Sequence, residues 1–170
     1  ETARVAAERG HRVTLVEAAA NLGGQFRLAG LQPRRGQILD LLQWYETQLQ
    51  RLQVTVRLNT YLEADDIDAY GADAVVIATG SQPRGTGFQR ALPAQAELPG
   101  LAHGKVWSAE EVMSRAARPG KRVLLLDEEG NWRGCGTALH LAEQGHEVTL
   151  VTPRSEEHTS ELQSQFRISY

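Results

Sequence analysis

Residues 2–16 read TARVAAERGHRVTLV and residues 137–151 read TALHLAEQGHEVTLV. The two stretches share ten of fifteen positions at a constant offset of 135 residues. Each begins with an alanine-rich run that favours helix. Each then meets Gly-His, and glycine suits the left-handed residue that ends a helix. Each closes on Val-Thr-Leu-Val, the β-branched apolar run of a buried parallel strand. Helix, turn and strand in that order form the second half of a βαβ unit. The chain is therefore read as an α/β protein holding parts of two such units. The first copy starts inside its helix at Glu1, so its opening strand is expected upstream.

The rest of the chain keeps the alternation. Residues 35–52 place Ile38, Leu41, Leu42, Tyr45, Leu49 and Leu52 on one helical face. Residues 54–58 alternate as a strand does. Residues 65–69 read as a short acidic helix or turn. Residues 73–77, apolar after Asp73, read as a strand that leads directly into Ala78-Thr79-Gly80-Ser81. Residues 82–104 hold Pro83, Pro93 and Pro99 and act as a connector. Ser108 with Glu111 three residues on forms a capping box for a short helix over 108–117. Residues 122–126 read as a buried strand and 127–136 as a loop before the second copy. The expected division is a first unit over 1–118 and a second over 119–153.

Composition excludes several classes. The chain has 170 residues, 41% hydrophobic content and a net charge of −3. Lys and Arg are scattered with no basic stripe, which argues against nucleic-acid binding. No apolar run reaches the length of about 18 residues that a membrane span requires. Cys135 is the only cysteine, so the chain can form no internal disulfide and no multi-cysteine metal or iron–sulfur site. These features point to the cytoplasm.

Residues 154–170, RSEEHTSELQSQFRISY, abandon the α/β pattern. They resemble the conceptual translation of a sequencing-library adapter and are set aside from fold reasoning. His158 and its neighbouring acids are accordingly not read as a site.

Three elements carry chemistry. Glu17 follows Leu15-Val16 at the carboxyl end of a parallel strand, where ligands bind, and an acid there accepts hydrogen bonds from ribose hydroxyls. Gly23-Gly24-Gln25 supplies two glycines that allow close backbone approach to a ligand. Ala78-Thr79-Gly80 ends an apolar strand in small residues, which lets the backbone lie against a cofactor. The second copy differs from the first. Where a Gly-rich phosphate turn belongs, residues 127–136 read DEEGNWRGCG, and Thr152 stands where the first copy has Glu17. Three acids and the bulk of Trp132 argue against ordinary NAD(P)H binding. His11 and His146 occupy equivalent turns and are read as structural. Cys135 and the Trp44-Tyr45 pair are read as packing. No general acid–base pair or activated nucleophile is recognised.

The order Val-Glu, Gly-Gly-Gln, long helix, VVIATGSQPR (residues 75–84), LPGL (98–101) and VWSAEEVM (106–113) resembles the FAD/NAD(P)-binding region of the 2,4-dienoyl-CoA reductase and trimethylamine dehydrogenase family. These are old yellow enzyme-like NADH:flavin oxidoreductases. The resemblance covers residues 1–153 and implies an incomplete doubly wound, Rossmann-like fold. It also implies a separate barrel carrying FMN and a 4Fe–4S cluster, through which a small-molecule substrate is met. It implies contact of Glu17, Gly23, Gly24, Gln25 and Ala78-Thr79-Gly80 with FAD, or with ADP in its place. It places Leu62 where the family offers backbone to adenine. The acidic second unit is similar to the amine-dehydrogenase branch rather than the NAD(P)H-using enoate or dienoyl-CoA reductase branch. A non-catalytic, ADP-holding or structural module is the reading from another class. Substrate, electron partner and oligomeric state are not legible.

Overall fold

A computed structural model describes residues 1–90, 92–152 and 167–169. The stretch set aside above lies outside the described residues apart from 167–169. The chain divides into two compact units, Glu1–Gly30 with Gly36–Ser81, and Leu31–Arg35 with Gln82–Tyr170.

The first unit contains helix α1 (Thr2–Glu8), strand β1 (Thr14–Val16), helix α2 (Gly24–Gly30), helix α3 (Gln37–Arg51) and strand β2 (Thr55–Arg57). β1 and β2 pair in parallel, with Leu15 opposite Val56 and Val16 opposite Arg57. α3 packs against both α1 and α2. Its buried face carries Leu42 and Leu49, as the apolar periodicity requires.

α2 was not expected. Its sequence, GQFRLAG, begins and ends in glycine and has weak helix propensity. Packing forms it instead. Ala29 and Gly30 are buried, and a side chain at Gly30 would come within 2.7 Å of Leu39 Cδ2.

The expected strand over 73–77 is not formed. Val75, Val76 and Ile77 are 52, 66 and 78% exposed. A strand exists only through hydrogen bonds to a neighbour. β1 and β2 pair with each other, and among the described residues no strand flanks 73–77. β-Branched composition supplies the propensity but not the partner.

The second unit contains helix α4 (Ala109–Met113), strand β3 (Arg122–Leu126), helix α5 (Trp132–Glu143), strand β4 (Glu147–Val151) and strand β5 (Arg167–Ser169). All pairs are parallel, in the order β3-β4-β5. Ala138 and Leu141 of α5 and Val148 of β4 form the core, with Val112, Val123, Leu125 and Ala142 around it. Full burial of Leu141 and Leu150 contributes about 2 kcal/mol each. β3 is not buried on both faces as expected. Val123 and Leu125 face α5, whereas Leu124 and Leu126 are 63 and 46% exposed. The helices described in this unit cover one side of the sheet only. Parallel strands joined through helices make this an α/β protein. Among the described residues, no helix is long and apolar enough to cross a membrane.

The sequence repeat is also a repeat of backbone geometry. After α1, Gly10 has φ +88°, its N–H reaches Ala7 O at 2.9 Å, and the His11 N–H reaches Ala6 O at 3.1 Å. After α5, Gly145 has φ +88°, its N–H reaches Ala142 O at 3.0 Å, and the His146 N–H reaches Leu141 O at 3.1 Å. Both are Schellman turns. His146 Nδ1 also lies 2.8 Å from Gly120 O and ties the turn to the approach to β3. α3 ends the same way, with Val54 N–H to Leu49 O and Gln53 N–H to Gln50 O. Here the left-handed residue is Gln53, at φ +56°.

The capping box forms as expected. The Glu111 N–H donates to Ser108 Oγ at 3.2 Å, and the Ser108 N–H donates to Glu111 Oε2 at 2.7 Å. The Ser108 N–H first, then the Ser108 hydroxyl, which donates to Glu111 Oε2 at 2.9 Å, hold the Glu111 carboxyl below its ordinary pKa.

Two predictions follow from these turns and caps. Gln53→Gly should raise stability by about 1 kcal/mol, because it relieves a left-handed non-glycine residue, and Gly145→Ala should lower it similarly. Urea denaturation measures both. Ser108→Ala should cost about 1 kcal/mol. Glu111's share of that loss is present above the ordinary carboxylate range, because the folded pKa is the lowered one. It fades as pH falls through that lowered value, so the variant and the wild type should draw closer in acid.

Candidate functional site

In the first unit, parallel pairing brings the carboxyl ends of β1 and β2 side by side. Glu17 is the residue after β1. Its N–H donates to Arg57 O at 2.9 Å, and its carbonyl accepts from Thr60 N–H at 3.0 Å. Asn59, at φ +52°, turns the chain after β2 and donates its N–H to Ala19 O. Glu17 is thus fixed by backbone bonds on both sides. Its Oε1 accepts the Ala19 N–H at 2.8 Å. A carboxylate has two acceptor oxygens, and this bond uses one. Leu62, half-buried, lies five residues beyond β2 at the same end.

A long-range contact joins the second and third motifs. Gln25 donates from Nε2 to the Ser81 carbonyl, and the same nitrogen lies 3.4 Å from Ser81 Oγ. This contact spans 56 residues of sequence. It sets Gly23-Gly24-Gln25 beside the end of the exposed stretch Ala78-Thr79-Gly80. Ser81 is the partner that sequence reasoning passed over. Its only signal was its place directly after the Ala-Thr-Gly run.

The two motif glycines do different work. Gly23, at φ +110°, faces α3, and a Cβ there would meet Leu42 Cδ1 at 2.7 Å. Gly24, at φ +45°, and Gly80, at φ +73°, face open space. Gly23 therefore serves packing, whereas Gly24 and Gly80 present bare backbone that a ligand can approach.

In the second unit the corresponding loop is filled from within the chain. Asp127, only 6% exposed, follows β3. Its Oδ1 accepts the Glu129 N–H at 3.1 Å and the Gly130 N–H at 3.0 Å. Asn131 caps α5, accepting the Arg133 N–H at 2.9 Å. Gln32, 3% exposed, reaches Arg133 O at 3.3 Å and Thr137 Oγ1 at 3.4 Å from Nε2. Arg35 lies over the Trp132 ring at 4.6 Å. Burial, then the nearby Asp127 charge, raises the Cys135 thiol pKa, so Cys135 is not an activated nucleophile. Among the described residues, no group of His, Cys, Asp and Glu could hold a metal.

The chain is 41% identical over 152 residues to N,N-dimethylglycine/sarcosine dehydrogenase of Chromohalobacter salexigens, covering 89% of this chain and 21% of that protein. It is 39% identical over 151 residues to cinnamate reductase of Clostridium sporogenes, again covering 89% of this chain and 21% of that protein. The chain is similar to these dehydrogenases and reductases over that stretch of their length. It spans about a fifth of the length of the curated relatives it matches. Among solved structures, the 6-hydroxypseudooxynicotine amine oxidase of Pseudomonas geniculata N1 superposes with a TM-score of 0.84 at 28% identity. That match covers 98% of this chain and 27% of the other. No family profile matches the chain.

The glycine geometry generates a prediction. Gly23→Ala should destabilise the chain by about 2 kcal/mol, since it adds a clash with Leu42 to a strained φ. Gly24→Ala should cost about half of that, since only the backbone is strained. Chemical denaturation of the two variants side by side gives the ranking.

Proposed function

We propose that this chain is the dinucleotide-binding region of a flavin-dependent, amine-dehydrogenase-like oxidoreductase, and that its first unit holds FAD, or ADP in its place. The observation that carries the reading is the Gln25–Ser81 contact, which joins the Gly-Gly-Gln turn to the Ala-Thr-Gly stretch. The residues fit such a group. Gly24 and Gly80 leave open the space that a Cβ would fill. Glu17 offers a fixed carboxylate at the carboxyl end of parallel strands, and Leu62 offers backbone at the same end. The Rossmann-like, doubly wound arrangement belongs to this reading.

A bound flavin supplies hydride and electron chemistry. The chain's own residues would bind and orient. Glu17 would accept from ribose hydroxyls, the bare backbone at Gly24 and Gly80 would approach the cofactor, and Gln25 would hold the two loops in register. In this reading FMN, a 4Fe–4S cluster and the small-molecule substrate belong to a barrel outside this chain, and the parent protein works in the cytoplasm without nucleic-acid or membrane partners. The 39% match to cinnamate reductase favours a second reading, a region of an NAD(P)H-dependent enoate reductase.

The parent protein should copurify with yellow flavin. Recovery of ADP without flavin absorbance would leave an ADP-holding module instead. Glu17→Gln in that protein should weaken the dinucleotide by about tenfold to a hundredfold, the loss expected for hydrogen bonds to a charged group. Titration of the flavin-stripped protein with FAD measures the change, and unchanged affinity would remove Glu17 from the site.

A further inference from the structure

The second unit has the βαβ connection of a dinucleotide fold, with β3 leading through a turn into α5. In such a fold the backbone N–H groups of that turn face a pyrophosphate. Here those donors are engaged internally. Asp127 Oδ1 takes the Glu129 and Gly130 N–H groups, and Asn131 takes that of Arg133. Asp127 is a buried anion held by turn amides, which is the chemistry of a bound phosphate oxygen supplied by the chain itself.

The glycines of α5 bear this out. A Cβ at Gly134 would lie 2.7 Å from Asp127 Oδ2, and one at Gly136 would lie 2.9 Å from Gln32 Nε2. In a nucleotide site, glycines at a helix start make room for phosphate. In this unit they make room for two side chains. Gln32 comes from the segment Leu31–Arg35, which belongs to the second unit by its packing. The same segment sets Arg35 on Trp132, so it straps the first turns of α5 from outside. Asp127 Oδ2, Gln32 Oε1 and Arg35 Nε are buried and lack a hydrogen-bond partner among the described residues, and Arg35 itself is stacked on Trp132. An incoming pyrophosphate would meet these acceptor oxygens, one of them on a carboxylate, and could donate nothing to either.

We propose that the α5 turn is a self-occupied anion site. Asp127 takes the place of a phosphate, Gln32 and Arg35 close the remaining side, and the unit is thereby specific against nicotinamide dinucleotides. The proposal does not depend on whether the first unit holds FAD.

Amide-resolved NMR of the full chain tests it. In the wild type, Glu129 and Gly130 amides should exchange with solvent at least about tenfold more slowly than unbonded amides, as expected for hydrogen-bonded groups. NADH should leave both resonances unshifted. Asp127→Gly should gain pyrophosphate-induced shifts confined to Glu129, Gly130 and Arg133. Wild-type shifts at these amides with NADH would overturn the proposal. So would a folded Asp127→Gly that ignores pyrophosphate. If that variant does not fold, the wild-type exchange rates still decide, because unprotected Glu129 and Gly130 amides would contradict the internal bonds.

Discussion

Two strands can run parallel only if the chain returns to its starting end between them, and that return must start and stop a helix cleanly. Here the stop falls on a single residue. Gly10, Gln53 and Gly145 each take a left-handed backbone at a helix end and turn the chain into a strand. The turn geometry is the same all three times, with two N–H groups reaching back to helix carbonyls. Once these turns form, β1 meets β2 and β3 meets β4 in parallel register. The candidate site inherits that arrangement, since Glu17 meets Arg57 and Thr60 only because β1 and β2 run the same way.

The two copies of the repeat use one backbone for different ends. The first places an acid after its strand and leaves bare glycine backbone at Gly24 and Gly80. The second is preceded by a turn that holds the buried Asp127 carboxylate, with Gln32 packed against the start of its helix. Identity at ten of fifteen positions preserves the helix, the turn and the strand. The candidate residues lie outside the repeat, Glu17 directly after the first copy and Asp127 ten residues before the second.

Much of the fold was legible because it rests on local rules. Alternation, a capping box and glycine at helix ends act over a few residues, so α1, α3, α5 and the Ser108 cap could be read directly. Two elements were not legible, and each depends on distant partners. α2 is a weak helical sequence stabilised by Leu39 and its neighbours on α3. The run over 73–77 is strong β sequence with no neighbouring strand among the described residues. Propensity predicted the wrong outcome in both, because packing formed the first and the second needs a partner.

The sequence by itself determined the α/β class, the doubled helix–turn–strand and the candidate residues Glu17, Gly23, Gly24, Gln25, Leu62 and Ala78-Thr79-Gly80. All but Leu62, which the family resemblance supplies, follow from residue type and short-range spacing. Only the tertiary structure decided which glycines pack and which stay open, since that depends on whether Leu42 or empty space lies opposite. Only it joined Gln25 to Ser81 across 56 residues, and only it set Asp127 and Gln32 against α5. Hydrogen bonds between residues so far apart in the chain leave no local periodicity to read. They exist only once the strands and helices have brought their donors and acceptors within reach.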